Sequence, residues 1–448
     1  MPPPRCSGWP MYLTGPVLGF LAAVAFALCP PHRGEAPRAD APARALDPSL
    51  PAEPNETEDQ DKDQLAFSQF SWGEFVALNW PARDRTRGEA DPDKPFGAAT
   101  GPVVWESWKS VDELFPPNPE DAPTEWKRLD AVIGIRSANK DGKLALSRLD
   151  RPADKSAFRK VLPQVAHLQA VNQAGFFAAQ LGPLVAQNGT YVRYETRVNQ
   201  VAYNFVVDGK YYLRNNLPSS KNMPPVPFLT DSIIVKAAWM ELTERDDQTR
   251  FYCVRADLVD GVQDSKPIVR TATVGLVGLH IARRTLARPS WIWTTFEHVD
   301  NTEPGPGAGR ASFSRNDPAT VYTNGTDSRP PAPIPEGTPL PACPKAVGVE
   351  RMNCIPQSAR QANAQFYQKV KGTVWQHYRL VATQWIPKKD PGDPGSNLFQ
   401  PTPNSGVANT AIETYIQTSS CLVCHAFTPD FRFVFFPSVR AHSPKKGP

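Results

Sequence analysis

Near the C-terminal end of the chain stands the run Ser420-Cys421-Leu422-Val423-Cys424-His425. Two thiols three positions apart, followed at once by an imidazole, match the attachment site of c-type haem. Each sulfur can add to one of the two vinyl groups of the porphyrin. The histidine can give a nitrogen to the iron, which the second axial position, nearby hydrogen bonds and burial then tune. With 7 Cys and 7 His in 448 residues, each type stands about once in 64 positions, and chance yields such a pentapeptide with a probability of roughly 0.002. Composition does not account for it. Other chemistries are open to the same residues. A thioredoxin-like pair needs a strand-helix-strand unit beside it, and the motif comes too late for one to follow. Structural zinc usually takes two such pairs, and only one is present. A plain disulfide between Cys421 and Cys424 leaves His425 without a purpose.

If the iron is six-coordinate, the ligand opposite His425 comes from upstream or from His442. The candidates are Met240, Met352, His280, His298, His377 and His442. Methionine would raise the reduction potential relative to histidine. His280 shares a strand face with Val274, Leu276 and Gly278, where an imidazole is costly unless partnered. It is therefore the distal candidate, against the alternative of a satisfied core histidine. His298, beside Glu297 and Asp300, suits a metal or a turn. An open position would instead imply peroxidase or gas-ligand chemistry.

The elements that must hold these residues follow from pattern. Residues 1–29 read as a signal peptide or signal anchor: Val17 to Leu28 is uncharged and apolar, and Ala25-Phe26-Ala27 offers a cleavage site. Residues 30–64 are rich in Pro, Ala and acid and read as a flexible linker. A β-rich domain is expected over 65–300. It opens with an aromatic stretch, Phe67 to Leu78, that Ser71 can cap as a short helix. Asp141-Gly142 and Asp208-Gly209 mark two hairpins. A helical interlude is expected near 155–186, and strands over 191–199, 233–241, 250–259, 269–284 and 291–299. Short connections favour antiparallel neighbours. Residues 301–360 form a Pro/Gly-rich loop, poorly ordered or able to shield a cofactor edge. Residues 361–448 form a C-terminal helical segment, in which Gln361–Lys371 reads as helix and Val374 to Trp385 as a strand. In it, Ala408, Ala411, Ile412, Tyr415 and Ile416 share a helical face leading into Cys421. The fold class is thus α+β, mainly antiparallel β as a sheet or sandwich, with peripheral helices and a C-terminal helix running into the haem c motif. Cys343 and Cys354 can pair in an oxidising compartment, which leaves Cys253 as a buried free thiol.

Three runs are familiar: Val274 to His280, Trp291 to Asn301, and Ala408 to Tyr415 leading into Cys421–His425. Over about 65–436 the chain resembles a family of bacterial cytochrome c-like proteins with one haem motif near the C-terminus. The resemblance implies covalent haem at Cys421, Cys424 and His425, and neither an activity nor a fold beyond that. Small soluble cytochromes c differ, with an N-terminal motif and a later methionine; none follows His425 here.

These readings converge on an exported, periplasmic c-type cytochrome carrying haem c. It would pass single electrons to a redox partner protein and remain tethered to the inner membrane if the signal is retained. Haem attachment in bacteria takes place on the outer side of that membrane, in agreement with export. A formal net charge of +4 lacks the clustered excess that nucleic-acid binding requires. Two alternatives stay open: a haem c-dependent oxidoreductase with a substrate-binding β domain, and a haem-based ligand sensor. No nucleophile elbow, phosphate loop or second metal motif supports the former. Yet the β-rich part is larger than an electron carrier needs.

Overall fold

A computed structural model describes residues 46–98, 101–115, 122–127, 133–138, 144–149, 160–162, 182–213, 216, 228–264, 266–335, 338–387 and 407–425. The expected signal segment lies outside them, as does His442. Among the described residues no helix is long and apolar enough to cross a membrane. The elements run α1 (Gln60–Leu78), β1 (Lys109–Ser110), α2 (Val111–Leu114), β2 (Ile133–Ala138), β3 (Leu144–Leu149), β4 (Lys160–Leu162), β5 (Val192–Val198) and α3 (Gln200–Asp208). Then come β6 (Ile233–Glu241), β7 (Cys253–Gln263), β8 (Lys266–Arg283), β9 (Ile292–His298), α4 (Gln357–Val370), β10 (Tyr378–Gln384) and α5 (Cys421–His425).

One eight-stranded sheet dominates, in the order β1-β5-β6-β8-β7-β4, with β9 joining β8 and β10 joining β9. All its pairs are antiparallel except β4–β7. β2 and β3 form a separate antiparallel hairpin. The chain is therefore α+β and mainly antiparallel, with few and peripheral helices. β9 and β10 are buried along their whole length, because both faces of the sheet are covered.

Aromatic packing covers the first face. α1 starts where Asp59 accepts the Lys62 amide at 3.2 Å, a side-chain cap for an otherwise orphaned donor. Its Phe75 stacks on Phe296 of β9 at 4.2 Å, and its Trp72 stacks on Phe366 of α4 at 5.2 Å. The Trp72 indole donates to Asn363 Oδ1 (2.9 Å), whose amide donates to Leu380 O (2.9 Å). Ser71, expected as a cap, lies inside the helix. Its hydroxyl meets those of Thr294 and Thr383 at 2.7 and 2.6 Å.

Several expectations are corrected. The reading of 30–64 as a linker fails for its described part: Arg283 donates to Pro51 O (2.9 Å), Trp385 to Glu56 (2.7 Å), and Arg288 pairs with Glu53 and Glu56. The second expected hairpin is helix α3. The Asn199 side chain caps Ala202 N at 3.1 Å, and the buried residues Ala202, Tyr203 and Val206 fall at helical spacing. Within the expected helix near 155–186, Lys160–Leu162 is a strand; most of the rest lies outside the described residues. The 301–360 segment is irregular but packed. It buries Phe313, Val347 and Val349, and the Gln187 amide ties it down through Phe313 O and Val347 O. Within 361–448, β10 lies in the Val374 to Trp385 stretch read as a strand, and it belongs to the main sheet.

Cys343 and Cys354 are disulfide-bonded. Cys253 is unpaired and partly buried, and burial pushes its thiol up to about 11, leaving it protonated and inert at neutral pH. Replacing Cys343 and Cys354 together by Ser is expected to lower stability by about 2–3 kcal/mol, the entropy of a closed loop of this size. Denaturant unfolding with and without reductant checks this: wild-type protein plus reductant should match the double variant.

Candidate functional site

The second face of the sheet carries the chemistry. In register, Lys236 of β6 lies opposite His280 of β8, and His280 opposite Thr295 of β9. Cross-strand partners share a face, as do residues two apart. Lys236, His280, Thr295, Trp293 and Glu297 therefore point the same way.

Residues 407–425 lie across this face. The Asn409 amide donates to Thr295 Oγ1 (3.1 Å) and Phe296 O (2.7 Å), and the Tyr194 hydroxyl donates to Ala411 O (2.6 Å). Gly278 lies underneath: a Cβ there would stand 2.9 Å from Asn409 Oδ1, so a larger residue would have to displace the Asn409 side chain. Further along, the Leu422 amide donates to Gln384 Oε1 (2.8 Å). The expected helix over 407–419 does not form. Asn409 Oδ1 accepts the Ala411 amide (3.0 Å), and Glu413 accepts the Asn409 amide (2.9 Å). Such local side-chain bonds offer the backbone a chain of turns in place of a helix. Of the apolar residues read from its periodicity, Ala408, Ala411, Ile412 and Tyr415 are buried and Ile416 only partly so.

Glu297 anchors the arrangement. Its side chain is fully buried. It accepts from Arg379 Nε (3.0 Å) and Nη2 (2.9 Å), from Arg351, and from the Thr410 hydroxyl (2.8 Å). Burial alone would raise its pKa, but the two guanidiniums and the Thr410 hydroxyl reverse that and hold it at about 2.

The motif itself is the single-turn helix α5. Positions three and four apart share a helical face, which brings the backbones of Cys421 and Cys424 to one side with His425 adjacent. Cys421 is partly buried and in no disulfide; of Cys424 only the backbone is described. The His425 ring lies 4.2 Å from the Trp293 ring. Burial, then the positive charges of Lys236 and His280, push its pKa down to about 3. At neutral pH its nitrogens carry no added proton, the form in which an imidazole binds a metal. This donor set, two thiol positions one turn apart and a neutral imidazole, fits haem c.

His280, the distal candidate, is brought to the same face and pairs through Nε2 with Glu413 Oε2 at 3.3 Å. Burial would raise the Glu413 carboxyl, but His280, Lys236 and the Asn409 amide together hold it below its ordinary value. The other candidates sit elsewhere. Met240 is buried in an apolar cluster with Leu242, Phe251 and Val349. His298 is buried against Phe251 at 4.1 Å; one ring nitrogen meets Arg250 O (3.0 Å) and the other accepts Asp300 N–H (3.2 Å). Neither nitrogen is left for a metal. His377 is half-buried, 6.2 Å from the His298 ring. Met352 lies in the irregular segment, its amide donating to Gln417 Oε1 at 3.1 Å. Among the described residues no group of three or more His, Cys, Asp or Glu forms a metal site.

Sequence reasoning missed Lys236, Trp293, Glu413 and the Glu297–Arg351–Arg379 cluster as parts of this face. One signal was available. Trp293, Thr295 and Glu297 fall on one face of a strand, where a carboxylate needs partners once that face is buried. No family model, curated protein or solved structure matches the chain.

Glu297→Gln leaves two guanidiniums without their buried counter-charge and is expected to cost about 3–5 kcal/mol. The wild-type carboxylate, held at about 2 against an ordinary 4.5, contributes stability that is complete above pH 4.5. That contribution, about 3 kcal/mol, is lost as pH falls toward 2. Urea unfolding at pH 7, 5 and 3 should show this acid step in wild type and its absence in the variant.

Proposed function

We propose that the chain is an exported c-type cytochrome that holds one covalent haem and passes single electrons to or from a partner protein. The observation that carries the reading is the placement of Cys421-x-x-Cys424-His425 as one helical turn with a neutral imidazole. Cys421 and Cys424 would hold the porphyrin by thioether bonds, and His425 would hold the iron from one side. When bound, the haem supplies a one-electron couple set by its axial ligands and surroundings.

The chain's own residues have clear tasks in this reading. Trp293 fixes the His425 ring and keeps water from one side of it. Burial first, and the neighbouring Lys236 and His280 after it, disfavour protonation of the imidazole. Glu413 holds His280 in place through its 3.3 Å contact with Nε2. Gln384 pins the start of the turn through the Leu422 amide. Glu297 and Asn409 hold the segment that carries the motif against the sheet.

A second reading is a haem c-dependent oxidoreductase or ligand sensor. It is favoured by the His280–Glu413 pair, since an imidazole beside an ionised carboxylate can accept and return a proton.

Two experiments separate these outcomes. Wild-type chain, made in a host that attaches haem c, is expected to keep its haem through acid-acetone extraction. The Cys421→Ala, Cys424→Ala double variant should release or lack it; colourless wild-type protein would end the cytochrome reading. With His280 as the distal ligand, reduced wild-type protein should not bind carbon monoxide and His280→Ala should. Rapid binding by wild type would remove His280 from that role and favour the second reading.

A further inference from the structure

Away from the motif-bearing face, a cavity of about 570 Å³ opens between the 301–355 segment and the start of α4. Small-molecule sites span roughly 300–1,000 Å³. Thr302, Ser314, Asn316, Thr320 and Tyr322 line it with hydroxyl and amide groups, and the Tyr322 hydroxyl stands 3.3 Å from Ser314 Oγ. The wall at Cys354 belongs to a disulfide, which limits the rearrangement that binding would otherwise have to bring about.

The charged groups decide what fits. Three guanidiniums reach the cavity: Arg351, Arg360 and Arg379. Two are committed. Arg379 bonds Glu297 and Glu303, and Arg351 bonds Glu297 and Ala408 O. Arg360 stands exposed on α4, and among the described residues it has no carboxylate partner. Of the three lining carboxylates, Asp317 already accepts the Ala319 amide (2.9 Å) and the Thr320 hydroxyl (3.2 Å), and the other two retain capacity to accept. Glu303 is 59% exposed and meets only Arg379 Nη1, and Glu350 is exposed. The lining thus offers one uncommitted cation, carboxylate acceptors and a set of hydroxyls.

We propose that this cavity is a binding site for a small hydroxylated carboxylate, a hydroxy acid or sugar acid. Its carboxylate meets Arg360 as a charge-assisted pair. Its hydroxyls donate to Glu303 and Glu350 and exchange hydrogen bonds with Ser314, Asn316 and Tyr322. A bare anion would bring no donors for the two carboxylates. A neutral polyol would leave Arg360 without a counter-charge. The inference is independent of haem: Arg351 and Arg379 reach the motif-bearing face through Glu297, but Arg360, Glu303, Glu350 and Tyr322, which carry the recognition, do not touch the motif.

The test is isothermal titration calorimetry of the full chain with gluconate, glucuronate, tartrate and citrate, and with glucose and acetate as controls. At least one of the four acids is expected to bind one-to-one, and more tightly than either control. Arg360→Ala should weaken that binding by about tenfold or more, the loss of one charge-assisted contact, with partial recovery in Arg360→Lys. Because Arg360 is exposed, the melting temperature of the ligand-free variant should equal that of wild type. Tyr322→Phe should weaken the same acid by a smaller factor. The proposal is overturned if none of the four acids binds, if Arg360→Ala binds as well as wild type, or if glucose or acetate matches the best acid.

Discussion

The Glu297 carboxylate is the constraint on which the second face of the sheet depends. A fully buried charge is tolerable only when paired and hydrogen-bonded, and here both oxygens are used. Its partners come from three places in the chain: Arg351 from the irregular segment, Arg379 from β10, and Thr410 from the C-terminal strip. Buried ion clusters of this kind add little net stability over an apolar core of the same shape. Their effect is on register. A one-residue slip of β9 would turn Glu297 to the aromatic face, among Phe75 and Trp72, away from Arg351 and Arg379.

The two faces of the sheet are therefore held by different physics. α1 and α4 cover one through rings and short side chains, and the area buried sets its strength. Apolar contacts tolerate small shifts, which suits a layer whose task is stability. The other face is met by an irregular strip that has no regular backbone pattern of its own. Its polar groups must be satisfied one by one, by Asn409 on Thr295, Tyr194 on Ala411, and Gln384 on Leu422. Directional bonds of this sort specify position closely, and position is what a ligand-bearing strip requires.

The strands were the most legible part of the sequence, because period-2 alternation and turn residues are local signals. β6 spans the residues expected of it, and β2 pairs with β3 as the expected hairpin requires. Helix against strand was harder. Val201–Val207 is rich in β-formers, yet the Asn199 cap and burial of one helical stripe decide for α3. At 407–419 the apolar spacing named the buried residues correctly but not the backbone, since Asn409, Thr410 and Glu413 bond within the strip and to the sheet. The motif was visible as a string of residues. Its neighbours were not, because Lys236, His280 and Trp293 come from three different strands, and only register brings them together. Nor does local pattern reveal that 46–59 packs on the core, for its grip depends on Arg283, Arg288 and Trp385 far along the chain.

A helix of five residues is far below the length at which a helix persists by itself, since nucleation costs more than so few bonds return. Cys421 and His425 therefore hold their relative positions only because other elements impose them. The Leu422 amide is tied to Gln384 on β10, and the His425 ring rests on Trp293 of the neighbouring strand β9. Those two strands pair directly, with Gln384 opposite Trp293 in register. One cross-strand pair thus fixes both ends of the turn. The geometry of the motif is inherited from the pairing of β9 with β10, which is itself held in register by Glu297 and Arg379 four rungs further along the same ladder. The chemistry proposed for the C-terminal end accordingly depends on strands that lie 40 to 130 residues before it in sequence, roughly the separation at which loop closure still costs only a few kcal/mol.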